Sequence, residues 1–536
     1  MGEATRLGAR LRKAIQPLQQ SEAQRSLTLS LAIGALVGLV IVAFILLTGR
    51  LAARMYPAGG SGWRRILVPV AGSLGTGYLL WRFFPFARGS GIPQTKFALF
   101  INDGRILFRT VFGKFFCCSA SLASGIALGR EGPAVQIGAG LASVIARNAG
   151  MSKEQVKALV PVGCSAALAA AFNTPIAAVL FSLEEIMGDL HAPVLGAAVL
   201  SSATSWMVLH LVLGDNPLFH VPAYRLVHPA EFAAYAVLGV AGGLGSVAFV
   251  KLLLHLRQMF KGFPRWSVWF QPVAGGLTVG LFGYFAPDVM GVGYNYVDKI
   301  LNGDVVLKLA FLLAILKIIA TAVAYSSGNA GGIFGPSLFI GATIGASVGG
   351  VAHRLFPDYT AGPGAYALVG MGTAFAGIVR VPLTSVIMIF EMTRDYTIIV
   401  PLMISNLIAF LISYKLQRAP IYEALAQQDG VHLPSAETRA QAGRMRVNQA
   451  MRPVAAGSPE AMELLTGPNG GVPPHVHPDH PLSLALERMG SSGRNALPVV
   501  SRADVRQLLG VVRLDDVLRA FGVNRPAEAR ESTGLS

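Results

Sequence analysis

Residues 129–133 read Gly129-Arg130-Glu131-Gly132-Pro133, and no charged residue follows from Ala134 to Ala146. A carboxylate in so apolar a stretch is costly, and where one is kept it faces a pathway and takes part in moving something. Glycine and proline on both sides of Glu131 predict a helix that breaks there. A broken helix leaves backbone N–H groups bare, and bare N–H groups at a helix start attract anions. Glu131 is therefore a candidate working residue rather than a packing residue.

The surrounding composition supports a membrane setting. The chain has 536 residues, 53% hydrophobic and 13% charged, with mean hydropathy +0.54. Soluble domains carry about 25% charge. Uncharged runs extend over Ser26 to Gly49, Phe232 to Val250, Ile318 to Ala352 and Tyr396 to Tyr414. A spanning helix needs about 20 apolar residues, so the chain reads as an integral, multi-pass membrane protein. The glycine-rich run from Ile318 to Ala352 is too long for one span and must hold more than one short or broken element. The 61 glycines fit close helix packing and helix breaks.

The net charge of +16 does not imply a nucleic-acid partner here. Basic residues lie in loops and tails beside apolar runs, where they set orientation and meet anionic lipid. A field that attracts anions is the second reading. Arg6, Arg10, Arg12, Lys13 and Arg25 favour a cytoplasmic N-terminus, but Arg50, Arg54, Arg64 and Arg65 make the next loop basic too. The charge rule alone leaves orientation open. Cys117, Cys118 and Cys164 all lie in apolar stretches, and their spacing implies neither zinc nor a disulfide framework. The first apolar run is too long for a signal-peptide core.

Five segments follow: an N-terminal arm over 1–25, a membrane unit over 26–423, a linker over 424–474, a small module over 475–525 and a tail over 526–536. The membrane unit repeats internally. Gly132-Pro133 and Ile137-Gly138-Ala139 recur as Gly335-Pro336 and Ile340-Gly341-Ala342, 203 residues on. Val162-Gly163, Pro175 and Glu184 recur as Val369-Gly370, Pro382 and Glu391, 207 residues on. Repeats with broken helices in matching positions mark transport proteins whose site lies at the repeat interface. The module reads β-α-β-β-α, with helical spacing over 482–489 and 514–521 and strands over 496–500 and 507–512.

Besides the Glu131 segment, three others carry candidate chemistry. In Gly89-Ser90-Gly91-Ile92-Pro93 the proline favours a first helical turn, so Ser90 is either a plain helix cap or a hydroxyl that holds an anion. The run from Gly328 to Pro336 cannot be regular helix, since each glycine costs about 1 kcal/mol there. It marks either a tight helix crossing or an ion site built from backbone N–H groups. In Phe181-Ser182-Leu183-Glu184-Glu185 the adjacent carboxylates point in different directions on a helix. They read as a solvated pair, or as one structural acid and one on a proton route.

GSGIP at 89–93, GREGP at 129–133, GGIFGP at 331–336 and AAFNTPIAAVLFSLEE at 170–185 together resemble the CLC family of chloride channels and chloride/proton antiporters, over about residues 30 to 423. The resemblance implies an all-α polytopic membrane protein, an inverted repeated bundle with broken helices. It also implies chloride and protons as the transported partners, a homodimer with one pathway per subunit and no cofactor. Ser90 would bind chloride through its hydroxyl, Ile333 and Phe334 through backbone N–H groups, and Tyr422 through its hydroxyl. Glu131 matches the gating glutamate, which mimics chloride when ionised and swings away when protonated. Glu185 matches the inner proton acceptor, which favours antiport; a passive voltage- or pH-gated channel is the alternative on the same fold. A bacterial-type cell-membrane protein with both termini cytoplasmic is expected. Gln94 stands where the family commonly has glutamate, followed by Lys96.

The module at 475–525 resembles a CBS unit, with residues 446–474 as a degenerate remnant of a second. Asp516 matches a position that can contact a nucleotide ribose, so an adenine nucleotide is a weak candidate partner. Arg513 replaces the usual Ser/Thr and weakens it. His475, His477 and His480 with Asp479 read as an exposed Pro/His loop rather than a metal site. An intramembrane enzyme would need a nucleophile beside a base. Ser90 has no histidine at a suggestive spacing, and Glu131 follows no metal-ligand pattern. A membrane sensor working through the tail is disfavoured by the intact pore motifs.

Overall fold

A computed structural model of the protein describes residues 22–433, apart from 58, 191–192, 216–217, 220, 223, 225, 305 and 432. It also describes residues 445–454 and 474–520, apart from 506. Most of the expected N-terminal arm, much of the expected CBS remnant and the expected tail at 526–536 lie outside the described residues. The chain divides into two compact units, Met1–Leu433 and Pro434–Ser536.

The first unit is helical. Its helices are α1 (Glu22–Met55), α2 (Arg64–Arg82), α3 (Ile92–Phe100), α4 (Phe108–Ala123), α5 (Glu131–Asn148), α6 (Lys153–Phe172), α7 (Pro175–Phe181), α8 (Leu195–Leu213) and α9 (Glu231–Gly262). They continue as α10 (Pro272–Phe285), α11 (Tyr294–Leu301), α12 (Leu307–Ser326), α13 (Phe334–Leu355), α14 (Pro363–Val379), α15 (Pro382–Thr393), α16 (Ile399–Leu416) and α17 (Ile421–Gln428). Among the described residues, seven helical stretches are long and apolar enough to cross a membrane. Helices α7, α10, α14 and α15 open on proline, where the missing N–H costs nothing and the fixed φ suits the first turn.

The run from Ile318 to Ala352 divides as expected. Helix α12 stops at Ser326 and α13 starts at Phe334. Gly328 makes the stop, with φ +96° and the Arg88 guanidinium in the space a Cβ would fill. Glycine adopts that φ without strain and leaves the guanidinium its place.

The two repeats meet through reciprocal contacts, as two copies related by a two-fold axis must. Gly129 N–H donates to Gly332 O and Gly332 N–H to Gly129 O, both at 2.7 Å. Glu184 accepts N–H groups at the start of α15, while Glu391, near the end of α15, accepts those at the start of α7. Buried Lys114 donates to the carbonyls of Ala87 and Gly89, and Lys317, 203 residues on, to those of Val289 and Gly291. Packing repeats too. A Cβ on Gly138 would lie 2.3 Å from the Gly163 carbonyl oxygen, and one on Gly341 would lie 2.2 Å from that of Gly370. Glycine at these crossings brings α5 against α6 and α13 against α14 at backbone distance.

The second unit has its own core of Val447, Val476, Leu482, Ala485, Leu497, Val499, Val512 and Val517. Helix α18 (Leu482–Ser492) precedes an antiparallel pair, β1 (Ala496–Val500) and β2 (Leu508–Arg513), and α19 (Leu514–Ala520) follows. The expected first strand is reduced to a parallel bridge between Val476 and Val499. Pro474 and Pro478 flank it, and proline cannot donate to a ladder.

Candidate functional site

Three helix starts in the first unit build the site. Gly91, at φ +104°, turns the chain into α3, and a Cβ there would lie 2.5 Å from the Gly132 carbonyl oxygen. Gln94 closes the turn: its Oε1 accepts the Gly91 N–H at 2.9 Å and its Nε2 donates to Arg88 O at 3.1 Å. The glutamine that departs from the family pattern thus serves as a local cap. Ser90 is fully buried, and its Oγ makes no hydrogen bond among the described residues, with the Tyr325 phenol close by. Tyr422, on the first turn of α17, is likewise buried with an unpartnered hydroxyl. Its electrostatic neighbours are Glu131, Glu185 and Tyr325. An unmatched buried hydroxyl costs about 1–3 kcal/mol, and two of them here fit an anion as the missing acceptor of their protons.

The start of α13 supplies backbone donors. Its first helical bond runs from Ser337 N–H to Ile333 O, so the N–H groups of Ile333, Phe334 and Gly335 have no acceptor within the helix. The Phe334 ring is wedged against Phe172 at 4.6 Å and Phe375 at 4.2 Å between centroids, which holds this turn in place.

Glu131 is the first residue of α5 and fully buried. Its carboxylate lies on the α13 donors, with Gly335 N–H donating to Oε2 at 3.1 Å. The Tyr294 hydroxyl donates to the other oxygen, Oε1, at 2.5 Å. The carboxylate thus occupies an anion position at a helix N-terminus.

The two acids at 184 and 185 separate cleanly. They lie in a π-helical turn over Ser182–Met187. Glu184 caps α15, accepting from Thr384 N–H at 2.8 Å and Thr384 Oγ1–H at 2.6 Å. Glu185 points the other way, is buried, and meets Lys96 Nζ at 2.8 Å. Such a partner offsets part of the cost of burying the charge. Arg88 and Gly89, in the turn before Ser90, together with Tyr325 line an open cavity of about 740 Å³, whose wall also carries Arg105, Arg257 and Arg265. The wall is net basic, with Arg257 paired to Asp429 of the same wall at 2.8 Å.

Tyr294 and the role of Lys96 were missed by sequence reasoning. A signal for Tyr294 existed: Gly291-Val292-Gly293-Tyr294 stands 202 residues after Gly89-Ser90-Gly91-Ile92, the repeat copy of the Ser90 turn. In the second unit, Asp516 Oδ1 is paired with Arg452 at 2.5 Å, while Oδ2 has no hydrogen-bond partner among the described residues. Among the described residues no histidine, cysteine or acidic cluster could hold a metal ion.

The family profile described as Voltage gated chloride channel matches residues 72–414, and a CBS domain profile matches residues 472–523. A putative chloride channel protein, ClcB-like, of Ralstonia nicotianae is 32% identical over 383 residues, 70% of this chain and 89% of its own. The H(+)/Cl(-) exchange transporter ClcA of Vibrio campbellii is 31% identical over 65% of this chain and 76% of its own. Among solved structures, a slow cyanobacterial Cl-/H+ antiporter superposes with TM-score 0.70 at 25% identity, covering 76% of this chain and 98% of its own. A eukaryotic CLC transporter superposes with TM-score 0.64 at 22% identity, covering 94% and 90%. The chain belongs to the voltage gated chloride channel family and carries a CBS domain after its membrane unit.

Proposed function

We propose that the protein exchanges chloride for protons across a cell membrane, with Glu131 as the gate that both ions use. The observation that carries this reading is the Glu131 carboxylate lying on the Gly335 N–H at 3.1 Å, where a chloride would otherwise be stabilised. Chloride would be held by the free hydroxyls of Ser90 and Tyr422 and by the N–H groups of Ile333 and Phe334. Ionised Glu131 competes for the same field; protonated Glu131 no longer does, because its negative charge is gone. Glu185, buried next to Lys96, supplies the second proton station that a passive channel does not need. Two of the relatives above, named an exchange transporter and an antiporter, support the same choice, while the ClcB-like relative is named a putative chloride channel protein.

A homodimer in the cell membrane, with both termini cytoplasmic, completes the proposal. We do not include a nucleotide in it. Asp516 already neutralises the Arg452 guanidinium through Oδ1, and Arg513 stands where the usual Ser/Thr would be. The test is flux in reconstituted vesicles. Glu131→Gln should keep chloride flux and lose proton coupling and pH dependence. Glu185→Gln should lose proton movement while chloride flux continues. Full proton coupling in either variant would overturn that residue's role.

A further inference from the structure

The geometry points to Tyr294 as a positioning residue for the gate: its hydroxyl latches the ionised Glu131 carboxylate in the anion position. The inference rests on the reading of Glu131 as the gate. Both carboxylate oxygens are engaged, Oε2 by the Gly335 N–H at 3.1 Å and Oε1 by the Tyr294 hydroxyl at 2.5 Å. The first contact is the backbone field that a chloride would share. The second is a side-chain donor that a chloride in that field does not need.

Several features place the phenol. Gly293, at φ +89°, caps α11 and starts it at Tyr294. Gly335 leaves the room: a Cβ there would lie 3.1 Å from Tyr294 Oη and 2.6 Å from Val292 Cγ1. The ring stands edge-on to Phe219 at 5.4 Å, and the Arg130 guanidinium lies 5.9 Å from its centroid. Lys317 clamps the preceding turn through Val289 O and Gly291 O, as Lys114 clamps the turn before Ser90. The repeat therefore presents two hydroxyls from equivalent turns. One copy offers Ser90 to the anion; the other offers Tyr294 to the carboxylate that imitates it.

The bond discriminates between gate states. Hydrogen bonds to an ionised carboxylate are roughly twice as strong as those between neutral groups, so the latch favours the ionised, blocking form and slackens on protonation. The other titratable or charged groups near Glu131 are Arg130 beside it, Cys118 on α4 and Tyr422 on α17. Among the described residues, the hydrogen bonds to the carboxylate come from Tyr294 and Gly335 and not from these groups.

The experiment is chloride flux against pH in vesicles, for Tyr294→Phe, Tyr294→Leu, Glu131→Gln and the Tyr294→Phe/Glu131→Gln double variant. Both tyrosine variants should move the pH midpoint of flux upward by about one pH unit, a tenfold change in proton affinity. Flux at neutral pH should rise several-fold. In the Glu131→Gln background Tyr294→Phe should change nothing. An unshifted midpoint in whichever tyrosine variant reconstitutes would overturn the latch, as would an equal effect of Tyr294→Phe with and without Glu131. If Glu131→Gln itself keeps the wild-type pH profile, the gate reading falls, and that outcome is read without reference to Tyr294.

Discussion

Glu184→Ala tests whether two neighbouring carboxylates hold separate roles. Glu184 accepts from Thr384 N–H at 2.8 Å, Thr384 Oγ1–H at 2.6 Å and Leu383 N–H at 3.4 Å. Its repeat counterpart Glu391 accepts from Ile176 N–H at 2.9 Å and Ala177 N–H at 2.7 Å. Each acid sits half-buried on the start of the other repeat's helix. Alanine leaves those N–H groups without an acceptor and removes a charge that complements the helix dipole. A bond to a charged group is worth about 1.5–3 kcal/mol, and partial exposure lets water replace some of it. Glu184→Ala should therefore cost about 2–4 kcal/mol, with Glu391→Ala at the lower end because it loses one bond fewer. The assay is thermal unfolding of the purified protein, followed by size-exclusion chromatography after heating, with flux measured in vesicles. Both variants should unfold at lower temperature and retain the wild-type chloride-to-proton ratio. Because α7 and α15 pack against each other, the double variant should cost less than the sum of the single ones. Loss of proton movement in Glu184→Ala with unchanged thermal unfolding would refute the assignment of the structural role to 184 and the proton role to 185.

Lys96→Met removes the cation 2.8 Å from Glu185 and leaves a buried acid that is cheaper to hold protonated. Proton flux should fall several-fold while chloride flux continues, and the variant should add nothing in a Glu185→Gln background, as the ratio of initial fluxes would reveal. Gly138→Val and Gly341→Val place atoms against backbone, since even a Cβ would lie 2.3 and 2.2 Å from the facing carbonyl oxygens. Both should abolish recovery of monodisperse protein, whereas Gly196→Val, whose Cβ would meet nothing within 4 Å, should purify normally.

The parts of this fold legible in the sequence are those that glycine and proline dictate locally. The breaks before Glu131 and Phe334 and the start of α3 fall where those residues leave a regular helix untenable, and α7, α14 and α15 open on prolines. The repeat was legible because Gly138 and Gly341 must both be small to let helices cross. The capping by Glu184 was not. Its acceptor role joins residues 199 and 200 apart in sequence, and only the folded chain shows which helix start it meets. The same holds for Lys96 with Glu185 and for Tyr294 with Glu131, whose 163-residue separation carries no local pattern. Tyr294 was hidden for a second reason: the two repeats place different residues at equivalent positions, isoleucine at 92 and tyrosine at 294. In the second unit, the β-α-β-β-α reading expected a strand before α18, but the prolines around Val476 leave too few donors for a ladder.

Ion coupling is the central claim, and one measurement reaches it directly. Purified wild-type protein is sealed in proton-tight vesicles with a chloride gradient and no proton gradient, and external pH and chloride are followed together. Downhill chloride efflux should drive protons inward against the gradient that builds, and removing the chloride gradient should stop it. Chloride efflux with no accompanying proton uptake would contradict the account and make the protein a passive pathway on the same fold.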